Sequence, residues 1–238
     1  MRRKNTGRRA PARGVATADR ILRILSAYQR GDRPLELAEL AARTGLVKST
    51  IMRLAAPLER SGFIVRLADG RYQLGPELFR LNAIYQESLD LETHVLPVLV
   101  QLVEKTQETA AFFVRHGAHT LCLYRVETPH LLKVDIKPGD RRPMDQSATA
   151  QVLRAFEKRP VNAPVPLTLP TYSVDAADPH VASMAVPVIG IAPAVVGAVA
   201  LHGPTARLTL DRARELSAIL VNAGSRLTKA LGGAFPYE

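Results

Sequence analysis

The sequence predicts an α+β protein of two modules: a small three-helix unit closed by a hairpin, then a larger unit of mixed helices and strands. Three observations carry this. Apolar residues repeat at helical spacing in three short segments before residue 61. An Asp69-Gly70 pair then separates two β-prone runs. The charge divides at the same place: residues 1–75 hold 16 Lys and Arg against 6 Asp and Glu, whereas residues 76–238 hold 16 of each.

In the first helix, expected over 16–30, Ala18, Ile21, Leu22, Leu25 and Tyr28 fall on one face. Gly31-Asp32 stops it and Pro34 follows. A second helix is expected over 36–43, with Leu37, Leu40 and Ala41 inward. Thr44-Gly45 makes a tight turn, for which glycine suits a positive backbone angle. A third helix is expected over 47–60, its Ile51, Leu54, Ala55 and Leu58 packing on the first two. Pro57 removes a backbone donor there and predicts a kink or a shorter effective helix. Two helices joined by a glycine-containing turn form a helix-turn-helix. The runs 63–67 and 71–74 around Asp69-Gly70 add the hairpin of a winged helix.

The outward face of the third helix carries Ser49, Met52, Arg53 and Ala56, flanked by Lys48 and Thr50. These groups suit a helix in a DNA major groove. Arg53 can fork onto guanine, Ser49 and Thr50 reach bases or phosphates, and Lys48 suits a phosphate. Arg71 on the hairpin is assigned to phosphate. A surface arginine with no partner is the plainer reading of Arg53, but the charge division favours a polyanion partner for the first module. Residues 1–15, rich in arginine, read as a disordered tail that follows DNA or is merely solvated.

Residues 76–88 read as a linker helix whose apolar stripe, Leu78, Leu81 and Ile84, pairs two chains. From 89 to 238 the pattern is mixed. Helices are expected over 89–106, 148–158 and 210–231, and strands near 110–115, 120–126, 131–136, 184–189 and 195–201, in a largely antiparallel sheet. The uncharged run from Ser183 to Leu201 approaches the length of a membrane span. Pro187, Gly190, Pro193 and Gly197 interrupt it, so two buried strands explain it better and no membrane partner is expected. Pro160, Pro164, Pro166 and Pro170 predict a stiff connector. The lone Cys122 allows no disulfide within the chain, which fits a cytoplasmic protein.

An enzyme is disfavoured. Ser147, Asp175 and His202 have the residue types of a triad, but no G-x-S-x-G turn frames any serine. His116 and His119 alone make a poor metal site. No cofactor is expected.

The run from Leu40 through Thr44-Gly45-Leu46-Val47-Lys48-Ser49-Thr50 to Leu54 closely resembles the IclR family of bacterial transcription regulators. So do Gly70-Arg71-Tyr72-Gln73-Leu74-Gly75, Leu123-Tyr124-Arg125-Val126-Glu127, Gly203-Pro204 and Arg207-Leu208-Thr209, in order along the chain. The resemblance implies a dimer, often paired into a tetramer, that binds double-stranded operator DNA. It also implies a GAF-like C-terminal domain for a small organic effector, contacted at positions matching Ala148, Thr149, Asp175, Ser183, Ala200 and His202. The chain departs from relatives in having Ala150-Gln151 where Gly-Lys is common, and in a shortened segment 157–171. Two readings follow: a regulator modulated by a small or aromatic acid, or a DNA-binding dimer with a ligand-free sensor domain. In the first, the N-terminus of the helix at Thr149 attracts an anion. His202 adds a pH-dependent charge, Asp175 accepts a hydroxyl or amine, and Val186, Val188 and Val199 form the wall. Alternatively His202 and Asp175 satisfy each other or the backbone.

Overall fold

The computed structural model describes residues 15–29, 31–89, 91–157, 167–191 and 195–236. Nearly all of the basic tail and most of the proline-bearing connector lie outside the described residues. The chain divides into two compact units, residues 1–88 and 89–238.

The first unit runs α1 (Ala16–Leu25), α2 (Leu37–Thr44), α3 (Lys48–Arg60), β1 (Ile64–Arg66), β2 (Tyr72–Leu74) and α4 (Glu77–Leu89). Its core gathers Ile24, Leu40, Ile51, Leu54, Ala55, Leu58, Ile64 and Tyr72. One face needs correction. Ala18 and Leu22 are exposed, and the buried stripe of the first helical segment is Ile21, Ile24, Leu25 and Tyr28, spaced i, i+3, i+4, i+7. The helix also ends at Leu25, earlier than expected. By contrast α3 runs through Pro57 to Arg60 as one helix.

Side chains fix the connections. Asp32 accepts the Gln29 N–H at 2.7 Å and an N–H from each terminal guanidinium nitrogen of Arg43, at 2.6 and 3.0 Å. Arg43 also reaches the Ala27 carbonyl at 3.0 Å, tying the loop before α2 to that helix. In the following turn the Thr44 hydroxyl donates to the Leu40 carbonyl at 2.6 Å and accepts the Leu46 N–H at 3.3 Å. Gly45 sits at φ 69°, where any side chain is strained. Leu35 exchanges two backbone hydrogen bonds with Tyr72, adding a short third rung to the wing. At the wing's end a Cβ on Gly75 would lie 2.1 Å from the Gly62 carbonyl oxygen, so only glycine fits that crossing.

The second unit runs α5 (Leu91–Thr106), β3 (Thr109–His116), β4 (His119–Val126), β5 (Arg141–Pro143), α6 (Ala148–Phe156), β6 (Thr171–Val174), β7 (Val181–Ile189), β8 (Val195–Pro204) and α7 (Leu210–Ala230). The six strands form one antiparallel sheet in the order β5-β4-β3-β8-β7-β6. Register sorts its faces. Cross-strand pairs Ser183–His202, Ala185–Ala200 and Pro187–Ala198 share one face, and Met184–Leu201, Val186–Val199 and Val188–Gly197 share the other. Helix α7 packs on the second face, where Gly224 leaves room for Val186. Helix α6 begins against the first, its Ala148 N–H donating to the Ser173 hydroxyl at 2.8 Å. The uncharged run 183–201 is thus mainly two paired, buried strands, and no helix among the described residues is long and apolar enough to cross a membrane.

One expected strand fails in this unit, and two strands that were not expected appear. Residues 131–136 are a loop, because side chains and a turn take up their backbone groups: Arg207 donates to the Leu132 carbonyl at 3.1 Å and Arg142 reaches that of Asp135 at 3.4 Å. The edge position beside β4 goes instead to the three-residue β5, and β6 pairs with β7 just after the connector.

The Gly203-Pro204 and Arg207-Leu208-Thr209 signatures are structural. Glu108 is buried, and Arg207 forks onto its carboxylate at 2.6 and 2.7 Å. A Cβ on Gly203 would meet that carboxylate at 2.5 Å. Leu208 is fully buried, and the Thr209 side chain caps α7 by accepting the Arg212 N–H at 3.2 Å.

Candidate functional site

The first unit offers an exposed helix face that carries basic side chains. Burial of Ile51, Leu54, Ala55 and Leu58 forces the opposite face of α3 outward. Lys48, Ser49, Met52, Arg53 and Ala56 are exposed there, and Thr50 is half-buried. Val47, which precedes the helix, is 67% exposed and Met52 48%, so apolar surface is interleaved with the charges. Among the described residues neither Lys48 nor Arg53 has a carboxylate partner. Arg71 is different. Its Nε and Nη2 lie 2.7 and 2.6 Å from the Asp69 carboxylate, which they hold below the usual carboxylate range. The wing cation that the sequence reading overlooked is Arg66, exposed and stacked 5.7 Å over the Tyr72 ring. Alternation along β1 gave no signal for it, since Arg66 shares the face of buried Ile64 and is exposed only because the strand ends there.

The second unit encloses a cavity on the α6 side of the sheet, lined by Phe113, Ile136, Arg142, Thr149, Ser183 and His202 among others. It is tight, with about 20 Å³ of free space, enough for a water but not for an aromatic ring without movement. Its polar groups are arranged in two sets. Ser173 and Ser183 place their hydroxyls 2.9 Å apart, and Ser147 caps α6 by accepting the Ala150 N–H at 3.4 Å. The Thr149 hydroxyl and His202 Nε2 are buried with no hydrogen-bond partner. Leaving such groups unmet costs about 1–3 kcal/mol each, so they are poised for a polar guest.

Of the six positions matched to effector contacts, Thr149, Ser183 and His202 meet on this wall. Ala148 and Ala200 are fully buried and do not reach the cavity surface. Asp175 is absent from the lining because its carboxylate turns back to accept the His180 N–H at 2.5 Å. The proposed valine wall is also corrected: Val186, Val188 and Val199 lie on the opposite sheet face, by the alternation given above. Phe113, Val134, Ile136 and Val181 supply the apolar lining instead. The triad disperses for the same reasons, with Ser147 spent on a helix cap and Asp175 on a turn. No cluster of three or more metal-ligating side chains occurs among the described residues.

His202 is not the pH-dependent positive charge expected of it. Burial, followed by the nearby cations Arg142 and Arg125, pushes its pKa down from 6.5 to about 3. Between those values the unfolded chain binds a proton that the folded chain refuses, so stability is lost as pH falls from 6.5 towards 3. The steepest contribution is about 1.4 kcal/mol per pH unit. Urea unfolding at pH 7 and pH 5 should give a smaller acid loss for His202→Asn than for the wild type. Equal losses in the two proteins would contradict the buried, neutral imidazole.

Comparison with known proteins accords with this geometry. Residues 17–68 match the IclR helix-turn-helix domain, and residues 83–164 match the C-terminal domain of bacterial IclR transcriptional regulators. The chain is 25% identical to the transcriptional repressor IclR of Escherichia coli, over 94% of this chain and 93% of that protein. A crystal structure of an IclR-type regulator from Silicibacter sp. TM1040 superposes with a TM-score of 0.78 at 27% identity, covering 93% of this chain and 98% of that one. An IclR homologue from Microbacterium hydrocarbonoxydans, complexed with 4-hydroxybenzoate, has the same fold, with a TM-score of 0.72 at 18% identity over 91% of this chain and 99% of that one. A helix-turn-helix with a wing, a GAF-like sheet domain with a walled cavity, and these matches in both halves make the chain a member of the IclR family of transcription regulators.

Proposed function

We propose that the protein is a sequence-specific repressor that binds operator DNA as a homodimer and is modulated by a small organic acid. The observation that carries the DNA half is the unpartnered face of α3, with Lys48 and Arg53 free among the described residues beside exposed Ser49 and Met52. Residues 16–75 form the DNA-binding domain, with α3 in the major groove. Arg53 reads a base edge, Lys48 and Thr50 hold phosphates, and the wing adds Arg66 and Arg71. Residues 76–88 pair two chains through the exposed Leu81, Ile84 and Phe79, the last 79% exposed. Residues 89–238 carry the effector site, and the protein acts in the cytoplasm.

The effector reading rests on the unmet Thr149 hydroxyl and His202 Nε2 beside Arg142. These groups favour a small acid bearing a second polar group. The cavity's size argues against an aromatic acid in this conformation. A permanently empty sensor would have little reason to keep two buried polar groups unpaired.

Binding measurements on substituted proteins test the DNA assignment. Arg53→Ala should weaken operator binding by about 1–3 kcal/mol and relax sequence preference, as expected for a lost base-edge contact. Lys48→Ala should weaken operator and random DNA alike. Equal losses on both DNAs for Arg53→Ala would remove Arg53 from base reading.

A further inference from the structure

Beside the cavity an ion pair joins elements from opposite edges of the sheet. Arg142 stands on β5, one edge strand, and Asp178 lies in the loop joining β6, the other edge strand, to β7. Arg142 Nη1 contacts the Asp178 carboxylate, and Nη2 reaches the Asp135 carbonyl at 3.4 Å. The loop is a compact unit. Asp175 and His180 bound it, both with positive φ (51° and 62°), and are joined by the 2.5 Å hydrogen bond from the His180 N–H to the Asp175 carboxylate. Ala176 and Ala177 of this loop line the cavity that Arg142 also lines.

We infer that Arg142 is the group that takes the effector's negative charge, and that in the unliganded protein Asp178 occupies it, latching the β6–β7 loop over the cavity. This rests on the effector-site reading above. Three observations converge on it. The cavity's free space of about 20 Å³ is too small for an organic acid, so a ligand there needs some part of the wall to yield. The Thr149 hydroxyl and His202 Nε2, both more than nine-tenths buried, lack partners and line the same space, so a ligand there gains polar contacts. Arg142 is the cationic side chain on the wall, and its Nη1 is already taken by the Asp178 carboxylate, so a ligand carboxylate that uses the whole planar fork competes with Asp178 for that nitrogen.

Two arginines, each paired with a carboxylate, flank His202. Arg125, its side chain 6% exposed, lies near enough to add to Arg142 in keeping His202 unprotonated. Before a ligand binds, His202 is therefore a neutral ring. The effector and the lid compete for one guanidinium, so loop opening and anion capture are a single event. A competitor that must be displaced lowers apparent affinity by the fraction of protein in the open state.

Titration calorimetry on the intact protein tests this with glycolate and lactate, each paired with its neutral amide, glycolamide or lactamide. Asp178→Asn should bind the acids about two- to fivefold more tightly than the wild type, the scale of a partly exposed ion pair. It should also speed backbone hydrogen exchange over residues 176–181. Arg142→Gln should lose at least about tenfold in affinity for the acids and bind the amides no worse than the wild type. Unchanged acid affinity and unchanged exchange in Asp178→Asn would overturn the latch while leaving the pocket. Thr149→Val binding the acids as the wild type does, or no heat with any acid in both the wild type and Asp178→Asn, would overturn the effector-site reading itself.

Discussion

Alanine in place of Arg207 is expected to cost the protein about 3–5 kcal/mol of stability, the range for breaking a buried ion pair from one side. The reason is local. Glu108 is 2% exposed and both of its oxygens are held by the Arg207 fork. It also lies against Gly203, so it cannot be moved aside without repacking the start of α7. Removing the guanidinium leaves a desolvated carboxylate and frees the Leu132 carbonyl that Arg207 also serves. Because Arg207 is itself 28% exposed, the lower end of the range is expected. Urea unfolding followed by circular dichroism measures the loss. Combining Arg207→Met with Glu108→Gln should recover much of it, because no lone charge then remains. A loss below about 1 kcal/mol for Arg207→Ala would mean that solvent reaches Glu108.

The second large effect is on DNA affinity. All the excess positive charge lies in residues 1–75. The proposed dimer would present two copies each of Lys48, Arg66 and Arg71, together with further arginines. With 6–10 phosphates neutralised, operator affinity should fall by about 10³–10⁵ between about 50 and 200 mM salt. Fluorescence anisotropy with a labelled duplex gives the slope. Lys48→Ala should reduce it by about 2 per dimer, one contact from each copy. Arg71→Ala should reduce it less, since Asp69 already shares the charge of Arg71. Residues 76–238, with acidic and basic groups in equal number, should show no DNA affinity alone. A shallow slope for the intact protein, or DNA binding by the 76–238 fragment at moderate salt, would contradict the assignment.

The features legible from sequence were those encoded by neighbours along the chain. Thr44-Gly45 and the apolar stripe of α3 specify the turn and the recognition helix within twenty residues, so α3 and its outward face followed directly. Asp69-Gly70 specified the wing in the same way. Strands β3, β4, β7 and β8 carry enough apolar sequence to stand out. Strands β5 and β6 do not. Arg141-Arg142-Pro143 has no alternation, and Thr171–Val174 adjoins a proline-rich stretch, so both are defined by their partner strands. Residues 131–136 misled because Val134 and Ile136 are buried as a strand's would be, while the backbone is tied by Arg207 and Arg142.

The cavity was half legible for a related reason. Thr149, Ser183 and His202 were found by position, but their meeting depends on the β7–β8 register. A shift of one residue would have put Val199 and Val186 on the wall instead. Arg142 follows Asp140 and Arg141 and carries no signal of its own in the sequence. Its contact with Asp178 appears only when the two sheet edges are brought together.

Selection of bound duplexes from a random pool tests the central claim most directly. The intact protein should enrich an inverted repeat whose half-sites are centred about one helical turn apart, roughly 34 Å, or a multiple of it. Arg53→Ala, run in parallel, should lose preference at one base pair in each half-site while keeping the spacing. No enriched sequence from the intact protein, or the same sequence at the same stringency from Arg53→Ala, would contradict DNA reading by α3.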